Sequence, residues 1–391
     1  MAPSWGRGSW VVVLLAVGTT LRPYGGGVDG AEMRIDESDG QAYTLEEFVE
    51  YYGGDEEWSR SETYEGEGDD DAQTNPDLER DFSDFPRDSG DYDLNPDEVP
   101  EKTIWGYWAS GVDDMPPFYQ ICVDTWRAQN PSWHIVILDN TILPRFLSPS
   151  ELPPRFSEMA PHGASDHIRL ALLAKYGGVY LDVSIILTAG LDEIVWNDID
   201  QGNAEFVGTY NPVYGSAHLH NRDFVESWFL ATKRHNPFIH RWRDLLLRLF
   251  HTRVQSGFNS GILRDPLYQG LDLGNFLREG VDFREYLAIH VMLRRILETE
   301  QGLKERWRNR WKLYSTDDTG LKWQRLNGDW GAPCVEALFR FDPAKWKGIK
   351  DVPFLKFTTP ANTLLQRLPR ESFFRPGTTI ARILKKAGVA A

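Results

Sequence analysis

The chain has little cysteine and nothing arranged for cross-linking or sugar attachment. Its 391 residues include two cysteines, Cys122 and Cys334, neither in a Cys-x-x-Cys pair. This excludes a multi-disulfide scaffold and makes a zinc site a poor reading. It leaves either one disulfide formed in an oxidising lumen or two separate buried thiols. No usable Asn-x-Ser/Thr acceptor occurs, so nothing supports N-glycosylation. Long apolar runs are also missing. The stretch "WVVVLLAV", Trp10 to Val17, falls well short of the ~20 residues a spanning helix needs. With Arg7 before it and small residues after it, 1–31 reads as a signal peptide, with a short membrane anchor as the alternative. Either one sends the chain into the secretory pathway, and the Golgi lumen is the expected location.

Positive charge is scarce in the next stretch. Residues 32–101 hold 26 Asp and Glu against 4 Arg and no Lys. So much like charge with so few aliphatic residues cannot bury enough apolar surface to offset the entropy of ordering, so the stretch is expected to be an acidic disordered stem. From Lys102 onward 36 basic residues face 31 acidic ones. The overall net charge of −16 therefore belongs to the stem, and the remainder is mildly basic without a long basic stripe, which argues against a nucleic-acid binder.

What is present is core-forming material, 41% hydrophobic and 13% aromatic, in an alternating pattern from 102 to 391. "TIWGYWA" and "WHIVILD" predict strands, and "PPFYQICVDTWRAQN" and "SDHIRLALLAKYGG" predict helices. "VYLDVSIIL" predicts strand, turn and strand. Beyond Asn211 the stretches "DFVESWFLATKRH", "FIHRWRDLLLRLF" and "REYLAIHVMLRRILE" have helix-like spacing, and "VPFLKF" is a late strand that could return to the sheet. The expected fold is one α/β domain, a mainly parallel sheet covered by helices with a largely helical C-terminal part. Ligands in such sheets bind beyond the carboxyl ends of the strands, where Tyr107, Trp108, Asp139 and Asp182 are expected to converge.

Ser165 is the expected N-cap of a helix beginning at Asp166, which puts Asp166 and Arg169 together at the helix start. Asp182 ends an apolar strand, and the two-residue period points Asp182 and Ser184 the same way. A carboxylate and a hydroxyl are hard oxygen donors suited to Mn²⁺ or Mg²⁺. Spacing alone also allows a surface salt bridge for Asp166 with Arg169, and a turn cap for Asp182. Because the site lies at a sheet edge, Asp182→Asn is expected to lose activity with little loss of fold.

In order along the chain, "KTIWGYW", "SDHIRLALLAKYGGVYLDVS", "WFLATKRHNP", "EYLAIH" and "KFT" resemble the blocks of the capsular polysaccharide synthesis proteins and, more distantly, glycosyltransferase family 32 and the large glucosylating toxins. The resemblance implies a Rossmann-like domain of the GT-A type that moves a sugar from a nucleotide-sugar donor, UDP- or GDP-linked, to a glycan acceptor. It implies that Asp166 and Arg169 contact the donor sugar and phosphates, and that Asp182 with Ser184 holds a divalent cation on the diphosphate. It also implies that Trp108, or alternatively Trp105, stacks on the base. Ser184 stands where stricter relatives have a second carboxylate. Asp166 has a possible second role beside the oxocarbenium-like centre. Lys356, at a predicted strand end, is a candidate for a phosphate. Glu285 and His290 match a family block but lie off one helical face. An inactive sugar-nucleotide or glycan-binding protein is the alternative function.

Overall fold

Strands of the central sheet arise where short runs of β-branched and aromatic residues are buried on both faces. The computed structural model describes residues 94–254, 261–278 and 280–389, with three short strands, Met33–Ile35, Ala42–Thr44 and Glu62–Thr63. Contacts divide the chain into two units, 1–86 and 87–391.

In the first unit the three short strands pair antiparallel with Met33–Ile35 in the middle. They lie within the stretch expected to be an acidic disordered stem. The signal peptide or anchor, and the rest of the stem up to residue 93, lie outside the described residues.

The second unit starts before Lys102. Asn95 caps a short turn by accepting from the backbone N–H of Asp97, and Val99 is buried. Arg234 donates to the Val99 carbonyl at 2.9 Å. In chain order the elements that matter are β1 (Thr103–Tyr107), α1 (Pro117–Gln129), β2 (His134–Leu138), α2 (Pro161–Tyr176), β3 (Gly177–Leu181), β4 (Ile185–Leu187), β5 (Phe206–Tyr210), β6 (Val225–Lys233), α3 (Pro237–Leu249), α4 (Ala288–Thr299), β7 (Trp311–Ser315), β8 (Phe354–Lys356) and α5 (Thr379–Lys386).

Six of the strands form one sheet in the order β7-β5-β6-β3-β1-β2. All are parallel except β6, which runs antiparallel to both β3 and β5. Side-chain alternation splits the core in two. Trp105, Val136, Tyr180 and Leu230 point to the face covered by α2, α3 and α4. Ile104, Ile137, Val179 and Phe229 point to the face covered by α1 and α5. This is the mainly parallel, helix-covered α/β architecture that was expected, with a largely helical C-terminal part.

Several local expectations are corrected. The stretch "DFVESWFLATKRH" contains β6, a strand rather than a helix. A central strand buried on both faces is apolar at successive positions, so it lacks the two-residue alternation that distinguishes strand from helix. β5, buried over four of its five residues, was not anticipated for the same reason, and the half-buried edge strand β7 was not anticipated either. The late strand β8 does not join the main sheet; it pairs antiparallel with β4. Cys122 and Cys334 are separate buried free thiols, not a disulfide. Among the described residues no helix is long and apolar enough to cross a membrane.

Candidate functional site

Parallel pairing sets the position of the site. Trp105 lies opposite Tyr180, so Tyr107 and Asp182 come to one level at the carboxyl edge of the sheet. Tyr107 also pairs with Leu138, which brings Asp139 to the same edge. Asp139 is spent there on a turn, accepting from the backbone N–H groups of Thr141 and Ile142 at 2.6 and 2.9 Å.

Helix α2 begins at Pro161, four residues before Ser165, so Ser165 is not its N-cap. Proline supplies the start because its fixed φ suits the first turn. Asp166 and Arg169 consequently sit one turn inside the helix and are buried, at 8% and 4% exposure. The exposed salt bridge that spacing allowed is therefore replaced by a buried network. The Arg169 guanidinium is 3.5 Å from Asp166 and 3.4 Å from Asp182. It donates to Ser227 and to the carbonyl and hydroxyl of Ser165, and lies 4.8 Å over the Tyr180 ring. So many anionic and acceptor groups in a dry setting lock a planar guanidinium in one orientation.

Asp182 and Ser184 do not continue the strand; they occupy the turn between β3 and β4, closed by the Ile185 N–H on the Asp182 carbonyl at 3.1 Å. Their side chains nevertheless converge, as expected, and the point of convergence is Lys356. Its ammonium is 3.2 Å from Asp182 Oδ2 and donates to Ser184 Oγ. The register of β8 on β4, with Lys356 opposite Ile185, places it there. The Lys356 N–H donates to the Gly320 carbonyl at 2.7 Å, and its carbonyl accepts from Gln324 at 2.6 Å, so the backbone under this lysine is tied on both sides.

Asp182 thus has one protein cation on each oxygen. Burial works against its charge, but Lys356 and then Arg169 outweigh it and hold its pKa below the usual value. The expectation that Asp182→Asn would spare the fold is corrected on this ground: the change would leave the buried Lys356 without its carboxylate. Glu226, on β6, shows the reverse balance. Burial raises its pKa despite hydrogen bonds from Asn211 and Trp228 and the pull of Lys356. Tyr286 is pushed up to about 12, by burial first and then by Asp166 and Asp182.

The remaining candidates separate. Trp105 has no exposed surface; its indole donates to the Gly177 carbonyl at 2.9 Å and its ring packs on Phe146 and Tyr176. It is a core residue and is removed from the base-stacking role. Trp108 is half-buried just past β1, 4.9 Å from the Tyr119 ring, with a buried indole N–H that has no acceptor among the described residues. His290 is a core residue edge-on to Phe224, and burial lowers its pKa to about 3. Glu285 precedes α4 and accepts from the Gly261 N–H at 3.1 Å, so it is not on the helix with His290. Ser227, Glu226 and Tyr180 were missed. The first two lie on the strand read as a helix. Tyr180 was legible as the residue two before Asp182 on one strand face.

Two hard oxygens that already bracket one cation fit the expected divalent ion in donor type and convergence: Asp182 and Ser184 would hold it. Among the described residues no group of three or more His, Cys, Asp or Glu stands ready to add protein ligands.

The profile of the family described as "Capsular polysaccharide synthesis protein" matches residues 59–256. The O-glycosyltransferase braB of Annulohypoxylon truncatum is 27% identical over 233 residues, covering 52% of this chain and 53% of that protein. The O-glycosyltransferase PaGT of Phomopsis amygdali is 31% identical over 196 residues, covering 42% of this chain and 47% of that protein. The chain spans about half the length of the curated relatives it matches. A galactosyltransferase LgtC solved with donor and acceptor sugar analogs aligns with 73% of this chain and 95% of its own, at 11% identity and a TM-score of 0.33.

Proposed function

The chain belongs to the capsular polysaccharide synthesis protein family, and on that premise we propose that it is a glycosyltransferase moving a sugar from a nucleotide-sugar donor to a glycan acceptor. The observation that carries this reading is the pairing of Arg169 and Lys356 on the two oxygens of Asp182 at the carboxyl edge of the sheet. Breaking a sugar–phosphate bond leaves negative charge on the departing diphosphate, and prepositioned cations stabilise that charge as it develops. Arg169 is held rigidly by Ser165, Ser227 and Asp166, so it needs little reorganisation to meet a phosphate oxygen. Asp166 lies beside it and would face the donor sugar. Trp108, half-buried with a spare indole N–H, is the residue for the base. A bound Mn²⁺ or Mg²⁺ would add Lewis-acid neutralisation of the diphosphate. A luminal setting in the secretory pathway belongs to the same reading, supported by the apolar run after Arg7.

Incubation with a panel of UDP- and GDP-sugars, with detection of released nucleotide, is expected to identify one donor that turns over. Asp182→Asn is expected to abolish that turnover and to lower the melting temperature. A protein that releases nucleotide from none of the donors, with or without Mn²⁺ and a glycan acceptor, is not a glycosyltransferase of this kind.

A further inference from the structure

Lys356 occupies the point on which Asp182 and Ser184 converge. Its ammonium is 3.2 Å from one Asp182 oxygen and donates to the Ser184 hydroxyl, while Arg169 takes the other Asp182 oxygen at 3.4 Å. It is a lysine with 7% exposure, anchored through its backbone to Gly320 and Gln324. Gly320 leaves no room for a bulkier wall, since a Cβ there would stand 2.6 Å from the Trp228 ring and 3.4 Å from Lys356 Cβ.

We propose that Lys356 is a built-in competitor for the divalent cation: its ammonium holds the Asp182–Ser184 pair in the donor-free protein and must be drawn away before a metal ion can bind there. A single carboxylate cannot closely serve an ammonium and a divalent ion at the same point, because the two cations repel strongly at ~3 Å. The species able to draw the ammonium off is one with stronger anionic oxygens, which is the chemistry of a nucleoside diphosphate. Lys356 then moves from a carboxylate to a phosphate, and the oxygens it leaves become free for the metal. Metal affinity is thereby made dependent on the donor. The proposal rests on the functional reading above for its biological sense, but it is tested by metal binding alone.

The test is titration of the full chain, without nucleotide, with Mn²⁺ followed by electron paramagnetic resonance of the free ion. The wild type is expected to bind Mn²⁺ weakly, and Lys356→Met, which keeps length and removes charge, at least tenfold more tightly. Lys356→Arg, which keeps the charge, is expected to stay weak. Adding Asp182→Asn to Lys356→Met is expected to erase the gain. Unchanged or weaker Mn²⁺ binding in Lys356→Met overturns the proposal, as does a gain that survives Asp182→Asn or a wild type that already binds as tightly as the methionine variant. Should Lys356→Met not fold, Lys356→Gln takes its place with the same expected ordering. Failure of every donor to turn over would remove the glycosyltransferase reading and leave this comparison intact.

Discussion

Arg169, Asp182 and Lys356 form a chain of alternating charge with Asp182 as the shared member, so a neutral group in its place leaves the buried Lys356 without a carboxylate while Arg169 keeps Asp166. Glu226 stands beside that chain and differs from it, because its charge is opposed by burial more than it is helped by its partners. The two carboxylates therefore respond oppositely to pH. Asp182, with its pKa lowered in the fold, contributes stability above its unfolded value that is lost as pH falls through the folded one. Glu226, with its pKa raised, favours the fold below its unfolded value, and that contribution is lost as pH rises through the folded value. Glu226→Gln is accordingly expected to melt higher than wild type at pH 7, with the difference shrinking toward pH 4. Thermal melts across that range check it, and an equal difference at both ends would show that ionisation is not the cause.

Among the elements, the junction of α2 and β3 is the most constrained. Gly177 and Gly178 both have positive φ, 71° and 91°. A Cβ on Gly178 would lie 2.4 Å from the Thr103 carbonyl oxygen, backbone against backbone across the β3–β1 pairing. This double glycine lets a helix carrying Arg169 turn directly into a strand leading to Asp182, which is how these two members of the charge chain meet. Gly178→Ala combines a strained φ with an overlap no rotamer can relieve, and a cost of about 3 kcal/mol or more is expected. Gly202→Ala is the control: it shares a positive φ of 73° but has nothing within 4 Å of the added carbon, so only about 1 kcal/mol is expected. Chemical denaturation of the two variants measures the contrast, which equal losses would refute.

At the scale of the whole molecule, the folded unit reaches further toward the N-terminus than its charge suggests. Val99 is 4% exposed and its carbonyl is held by Arg234, while Thr103 donates to the Pro100 carbonyl at 2.7 Å. Removing residues 1–101 is therefore expected to lower stability relative to removing 1–93, by about 2 kcal/mol for the lost burial of one valine and its hydrogen bond. Matched melting curves of the two shortened chains would show it. Identical curves would place the boundary at Lys102, where the change in charge density puts it.

The sequence by itself determined the class of fold, the strand–turn–strand around Asp182, and the pairing of Asp166 with Arg169. These follow from local spacing, from apolar periodicity and from the cost of burying a charge away from an edge. It left open the identity of β6, because a strand buried on both faces has no alternation to read, and it could not separate Trp105 from Trp108, which differ only in which side of one strand end they occupy. Tertiary structure decided those points. It also decided the one that matters most for chemistry. Lys356 is 172 residues from Ser184 in the chain, and only the antiparallel register of β8 on β4 brings its ammonium to the oxygens expected to hold a metal. Charge pairing across that distance depends on the packing of both core layers, which no local pattern encodes.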